Sequence, residues 1–444
     1  MASSLETLPV ELIEIVVKLL SFRDVASLRG TSRTIESKAS YASFTRRFYR
    51  KNVKLETKTL EKLARLSHES YSTSRLQHCT ITGIVGLEEA APECQTNEHT
   101  RLLTTIFRNL KKNIQTGSVI SLTLRVVLRI MCGNAHMWPA TWATARRTFE
   151  ITMAALNESN LSVDESLDLF SSVSSCSLEY TAFLCLSQRP GPANIFKHLK
   201  RLKMSLSSPV ADTVDTDYFL PTPTLDELRQ GEHVASTLEA ISHASAIMPK
   251  LESLDLHWFN IGQTRSNSLT QIPAHRNLTS CSLPLALREC TLRGLYISGI
   301  NLLQFIMSTS PIILRLKDVN LVTGTYASSF AYITYPNTPT TYCHFEDLCQ
   351  GRHTVHFSIS EESEEADEST TEVGPTMLSQ HIIGLEHEDI PYQLIPVPRV
   401  REYARWRTDI LREYGPPVSR CLAFIPFIPQ NGRHVDIEIG TRLS

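Results

Sequence analysis

Glycine is scarce in this chain, with 17 in 444 residues, and charge imbalance is nearly absent, with 44 basic and 46 acidic residues giving a net charge of −2. The first shortage works against an overlooked phosphate-cradling loop, and no glycine loop of Walker or dinucleotide type appears. The second removes any global field favouring nucleic acid or a membrane surface. No stretch approaches the roughly 20 apolar residues needed to span a bilayer, and the leading MASSLETLPVELIEI lacks a basic region followed by an uninterrupted apolar core. The expectation is a soluble chain of the cytoplasm, the nucleus or both, with no nucleic-acid and no membrane partner. GxSxG elbows, HExxH helices and paired-carboxylate signatures are also missing, so no catalytic residues and no cofactor are expected and the chain reads as a non-enzyme. Ten cysteines are spread without paired spacing, which argues for buried free thiols in a reducing compartment.

Two local clusters bring together residues capable of chemistry. Arg46, Arg47, Arg50 and Lys51 stand around Phe48 and Tyr49, but without base-reading elements they read as a solvated helix face. Cys343, His344, Cys349, His353 and His356 offer thiolate and imidazole groups in a short span. Structural zinc usually takes ligands in close pairs, the two cysteines are spaced more loosely, and Cys343 fits an inward strand position, so no metal is expected.

What is present begins with Leu8, Leu12, Ile15, Val16 and Leu19, which fall at helical spacing on one broad apolar stripe behind Pro9, a residue suited to a first helical turn. Ser21 followed by Asp24 has the form of a capping box opening a second helix with Val25 and Leu28 inward, Gly30 is its stop, and a third helix carries Ile35. This hairpin has more apolar surface than it can bury alone, so it either docks on a partner or caps the rest of the chain. Leu8-Pro9, Glu11-Leu12, Ile15, Leu19, Asp24-Val25, Leu28-Arg29 and Ser32-Arg33 resemble the F-box motif in order and spacing. The resemblance implies docking onto a Skp-family adaptor, and through it a cullin, with Leu8, Pro9, Glu11, Ile15, Leu19, Leu28 and Arg29 as interface candidates.

At this length one compact core stops growing, so a small module plus a larger body or repeat array is expected. Leu251-x-x-Leu254-x-Leu256-x-x-Phe259, Leu292-x-x-Leu295-x-Ile297-x-x-Ile300 and Leu314-x-Leu316-x-x-Val319-x-Leu321 share a strand-like apolar pattern. Weaker copies stand at Leu199-x-x-Leu202-x-Met204, Leu122-x-Leu124-x-x-Val127, Leu278-x-x-Cys281-x-Leu283 and Cys343-x-Phe345-x-x-Leu348. Leu302, Leu303, Phe305 and Ile306 form a short helix ending before Pro311, the crossover such a repeat needs. These segments look like leucine-rich repeats, the alternative being another α/β arrangement whose strands merely read LxL. With LLTTIFRNLKKN leading to SLTLR, the pattern resembles F-box proteins of filamentous fungi that carry degenerate leucine-rich repeats.

The expected fold is therefore α/β, an N-terminal three-helix F-box followed by an irregular leucine-rich-repeat-like β/α solenoid. The boundaries are 1–52 for the F-box module, 53–100 for a helical linker and 101–358 for the repeat-like region. An acidic disordered insertion (EESEEADESTTE) occupies 359–378, and 379–444 carries a C-terminal extended segment and a capping helix over VREYARWRTDILREYG. The resemblance implies a substrate receptor of a cullin-based ubiquitin ligase whose repeats hold an unidentified protein target. A non-degradative interaction scaffold is the alternative. Residues alternating with inward leucines would face the target, namely Ser253, Asp255, His257, Tyr296, Ser298, Arg315, Lys317, Tyr342 and His344.

Overall fold

Two capping serines divide the start of the chain into short helices. After one turn of 3-10 helix at Leu5–Thr7, Pro9 stands at the N-cap of α1 (Val10–Leu19), where a missing amide costs little. Ser21 caps α2 (Phe22–Arg29): its Oγ accepts from the Asp24 amide at 3.2 Å and donates to the Asp24 carboxylate at 2.6 Å. Ser32 caps α3 (Arg33–Ala39), accepting from the Ile35 amide at 3.2 Å. Ile13, Val17, Val25, Ile35 and Ala39 are buried together, with Leu8, Leu20 and Leu28 packed at their margin, in a cluster separate from the core of the remaining chain. The computed structural model describes residues 5–40, 49–68, 76–85, 93–128, 138–173, 176–186, 191–207, 245–259, 286–351, 353–357, 375–381 and 390–396.

The rest is mixed α/β, built on a mostly parallel sheet whose strand order follows the chain. Its strands are β1 (Arg50–Lys54), β2 (His78–Val85), β3 (Ser118–Leu128), β4 (Ser162–Leu169), β6 (Arg201–Ser207), β7 (Ser253–Phe259), β8 (Glu289–Arg293), β10 (Ile313–Lys317) and β12 (Tyr342–Glu346). The short β5 (Leu178–Glu179) pairs with β6, and β15 (Met377–His381) adds to β12 antiparallel. Parallel neighbours require crossovers. The first three are α4 (Thr57–Ser67), α5 (Glu93–Asn113) and α6 (Trp138–Ser159); α7 (Tyr180–Leu184) and α8 (Pro192–Ile195) lie between β4 and β6. Among the described residues no helix is long and apolar enough to cross a membrane.

Register explains the core. Cys79, Leu122, Leu167, Leu202, Leu254, Cys290, Leu314 and Cys343 form one continuous row across the sheet. Val53, Ile81, Leu124, Leu169, Met204, Leu256, Leu292, Leu316 and Phe345 form the next row. All of them are buried. Each large apolar side chain so placed contributes about 1.5–3 kcal/mol, so these rows carry the packing of the sheet, while the opposite face is held by a few partly buried ion pairs.

Strands β8, β10 and β12 are each followed by a residue in the left-handed region: Gly294 at φ 71°, Asp318 at 52° and Asp347 at 52°. These turns stack, since the Gly294 amide donates to the Lys317 carbonyl at 3.1 Å and the Asp318 amide to that of Glu346 at 2.8 Å. They redirect the chain into a second sheet, where β9 (Tyr296–Ser298), β11 (Asn320–Thr323) and β13 (Cys349–Gln350) are parallel, followed by the antiparallel β14 (His353–Phe357) and β16 (Tyr392–Pro396). Helices α9 (Gly299–Thr309) and α10 (Ala327–Thr334) lead back to the main sheet, α9 burying Leu302, Phe305 and Ile306. Phe330, Phe345, Phe357 and Tyr392 gather at this end, with ring centroids 5.0 Å apart for Phe330–Phe345 and 5.4 Å for Phe330–Tyr392.

Several expectations change. The segment 53–100 is not a helical linker: besides α4 it carries β2 and the end of β1, so the sheet starts at Arg50 rather than 101. Arg50 and Lys51 accordingly lie on a strand, not a helix face. The pattern read over Leu292, Leu295 and Ile297 straddles the Gly294 turn. The strand matching Leu254 and Leu256 is Cys290 and Leu292, while Ile297 belongs to the second sheet. The proline-rich stretch after residue 390 is extended, as β16. The copy at Leu278–Leu283, the helix over 400–415 and the acidic run 361–372 lie outside the described residues.

Gly294 gives a direct test of the turn. A Cβ there would stand 2.3 Å from the Trp258 carbonyl oxygen at a backbone angle that side-chain-bearing residues resist, whereas Gly351, also at positive φ, has nothing within 4 Å. Gly294→Ala should therefore cost about 2–4 kcal/mol and Gly351→Ala about 1 kcal/mol in denaturant unfolding. Equal losses would contradict the close approach.

Candidate functional site

The helical wheel of α1 carries two apolar faces. Ile13 and Val17 are buried in the three-helix module, and one step round the helix Leu12, Ile15 and Leu19 are 46%, 52% and 82% exposed. Residues spaced three and four apart share one helical face, so these three form a continuous apolar stripe beside exposed Pro9 and Glu11. Leu8 and Leu28 are half-buried at the margin of the module core. Arg29 donates to the Glu36 carboxylate at 3.2 Å, bracing α2 against α3. Leu12 was in the stripe read from the sequence but not among the interface candidates; its spacing from Ile15 and Leu19 was the available signal.

The second surface is the polar face of the main sheet. Because Leu254, Leu256, Leu314, Leu316, Cys343 and Phe345 point into the core, strand alternation puts Ser253, Asp255, His257, Arg315, Lys317, Tyr342 and His344 on the opposite side. Register then brings them together: Asp255, Thr291, Arg315, His344 and Ser379 lie side by side, and so do His257, Arg293, Lys317 and Glu346. Glu289, Thr291, Arg293 and Glu346 belong to the same face and were missed, the first three because the strand of that repeat was read one turn too late. Tyr296 and Ser298 do not join it. They lie on β9 of the second sheet, where Ser298 Oγ caps α9 by accepting from the Asn301 amide at 3.2 Å.

Adjacent strands are stitched by complementary charge. Arg293 donates to Asp255 Oδ1 through Nε at 3.1 Å and Nη2 at 2.8 Å, Lys317 meets Glu346 at 2.8 Å, and Arg315 stands 4.0 Å from Glu289. The Arg315 guanidinium also lies 5.8 Å from the centre of the Tyr342 ring, within cation–π range. His344 shares a 2.7 Å hydrogen bond with Ser379 Oγ; burial, then Lys317 and Arg315, lower its pKa. His257 shares a 3.3 Å hydrogen bond with Ser205 Oγ, and burial, reinforced by Arg293 and Lys317, pulls its pKa down to about 3. Asp255, its neighbour on the strand, is engaged with Arg293, so the Ser205–His257 pair is a neutral buried hydrogen bond within the face.

The cysteines on β12 and β13 are structural. Alternation places Cys343 in the core and His344 on the polar face of the same strand, so the two do not converge. Burial pushes the Cys79, Cys176, Cys343 and Cys349 thiols up to about 12, which keeps them protonated near neutral pH. Compared with known proteins, the chain matches no family model and no curated sequence.

The low pKa of His257 makes stability pH-dependent in a definite sense. Folding favours the neutral ring, so between the ordinary value of 6.5 and about 3 the unfolded chain binds more protons and stability falls as pH falls. The slope attributable to this residue approaches about 1.4 kcal/mol per pH unit. Unfolding free energies between pH 7 and roughly pH 4.5 should lose that much slope in His257→Gln; an unchanged slope would mean the ring titrates normally.

Proposed function

We propose that this chain is the substrate-receptor subunit of a cullin-based ubiquitin ligase. The N-terminal module acts as an F-box that docks on a Skp-family adaptor, and the body acts as an irregular leucine-rich-repeat-like solenoid that holds a protein target. The observation carrying this reading is the exposed stripe Leu12, Ile15 and Leu19 on a module that already has its own closed core. A helix with a finished inner face gains nothing inside its module from three further outward apolar residues, whereas covering them with a partner recovers about 1.5–3 kcal/mol for each side chain fully buried.

Two features of the body support the receptor half. Strand order follows chain order, as in an array that grows one unit at a time. The recurrent left-handed turn at Gly294, Asp318 and Asp347 gives successive units the same cross-section. The polar face over β7, β8, β10 and β12 is the proposed target surface, with Arg315 and Tyr342 as anchor-type side chains. No chemistry is assigned to the chain itself; its role is to position a target.

Ile15→Asp and Leu19→Asp test the reading. Each should weaken capture of a purified Skp-family adaptor by about 2 kcal/mol, roughly thirtyfold, while the thermal melt stays unchanged because both positions are already exposed. Unaffected capture would return α1 to the status of a packing element. Recovery of a cullin with the adaptor separates a ligase subunit from a scaffold that works outside any ligase.

A further inference from the structure

We infer that Lys38 is a positioning residue for the α1 docking face, an inference that rests on the proposed adaptor reading. Lys38 lies in the last turn of α3, far from α1 in sequence, yet its Nζ donates to the carbonyl oxygens of Glu6 and Leu8, both at 2.7 Å. Those carbonyls flank Thr7 in the turn that leads into α1. Within the turn the Leu8 amide donates to the Leu5 carbonyl at 3.3 Å, and Pro9 has no amide to offer, so the backbone between Leu8 and α1 lacks one ordinary means of fastening itself.

One ammonium thus gathers two carbonyls of the leading turn and ties them to α3, with the cation at a helix C-terminus where the backbone dipole favours positive charge. Leu5 and Pro9 are exposed, Leu8 is half-buried against the module core, and this turn stands directly before the stripe of Leu12, Ile15 and Leu19. Where the turn points therefore decides whether the stripe presents an extended surface or stops at Leu12. Removing the tie leaves the stripe intact but its leading end unplaced, so a partner must select the competent arrangement from an ensemble. If that arrangement is populated about a tenth of the time, the apparent Kd rises about tenfold.

The test uses the full chain in three variants, Lys38→Met, Lys38→Arg and Ile15→Asp, with purified Skp-family adaptor as the probe and amide hydrogen exchange as an independent readout. Lys38→Met, which keeps the apolar stem and removes the donors, should speed exchange at the Leu8 amide, leave the amides of Ile13 and Val17 protected, and weaken adaptor capture about tenfold. Lys38→Arg, retaining charge and donors, should restore most of both. Unchanged exchange at Leu8 in Lys38→Met would overturn the inference. So would capture that is lost in Ile15→Asp but unaffected in Lys38→Met, which leaves the adaptor reading standing. Capture indifferent to Ile15→Asp would remove the adaptor reading and this inference with it.

Discussion

The body of the molecule depends on registered stacking of two apolar positions per strand. Side chains alternate faces along a strand, so a slip of one residue between neighbours would exchange buried apolar side chains for polar or charged ones. The rows from Cys79 to Cys343 and from Val53 to Phe345 prevent that slip at every pairing at once. They also settle where polar groups go. Once Leu314 and Leu316 are inward, Arg315 and Lys317 have one side left to occupy, and the carboxylates of the neighbouring strands meet them there.

This dependence marks what was legible in the residues alone. The pairs Leu254 and Leu256, Leu314 and Leu316, and Cys343 and Phe345 carry the inward positions in plain alternation, and the contacts inferred beside them share one face. The β8 repeat was misread because Leu295 and Ile297 continue the apolar spacing beyond Gly294, and spacing alone does not reveal that the chain has turned into another sheet. Strand β2 escaped notice for a different reason. In β2, Thr80 and Thr82 alternate with Cys79 and Ile81, a mixture without the leucines that advertise a repeat, and the pairing partner that identifies it is distant in sequence.

In the N-terminal module the start of α2 was readable from Ser21 because a cap is a local device, whereas the cap that Ser32 gives α3 was not singled out. The division of α1 into two apolar faces was not. Seven of its ten residues are apolar, and which of them turn inward depends on how α3 crosses, a nonlocal choice that gives the interior to Ile13 and Val17. Arg29, chosen as an outward contact, is engaged by Glu36 for the same reason: α3 brings the carboxylate to it.

The two ends of the main sheet have a consequence for self-association. A stack of parallel strands offers the next strand at each end, and copies could in principle add head to tail without limit, since such contacts do not close. Here the first strand presents Arg50, Lys51 and Lys54 to solvent, and the last strand, β15, runs opposite to all the others. A neighbouring copy would have to add its own edge against the charged first strand, and charge along an edge works against such pairing. Charge at the β1 edge thus disfavours end-to-end growth of the sheet from that side.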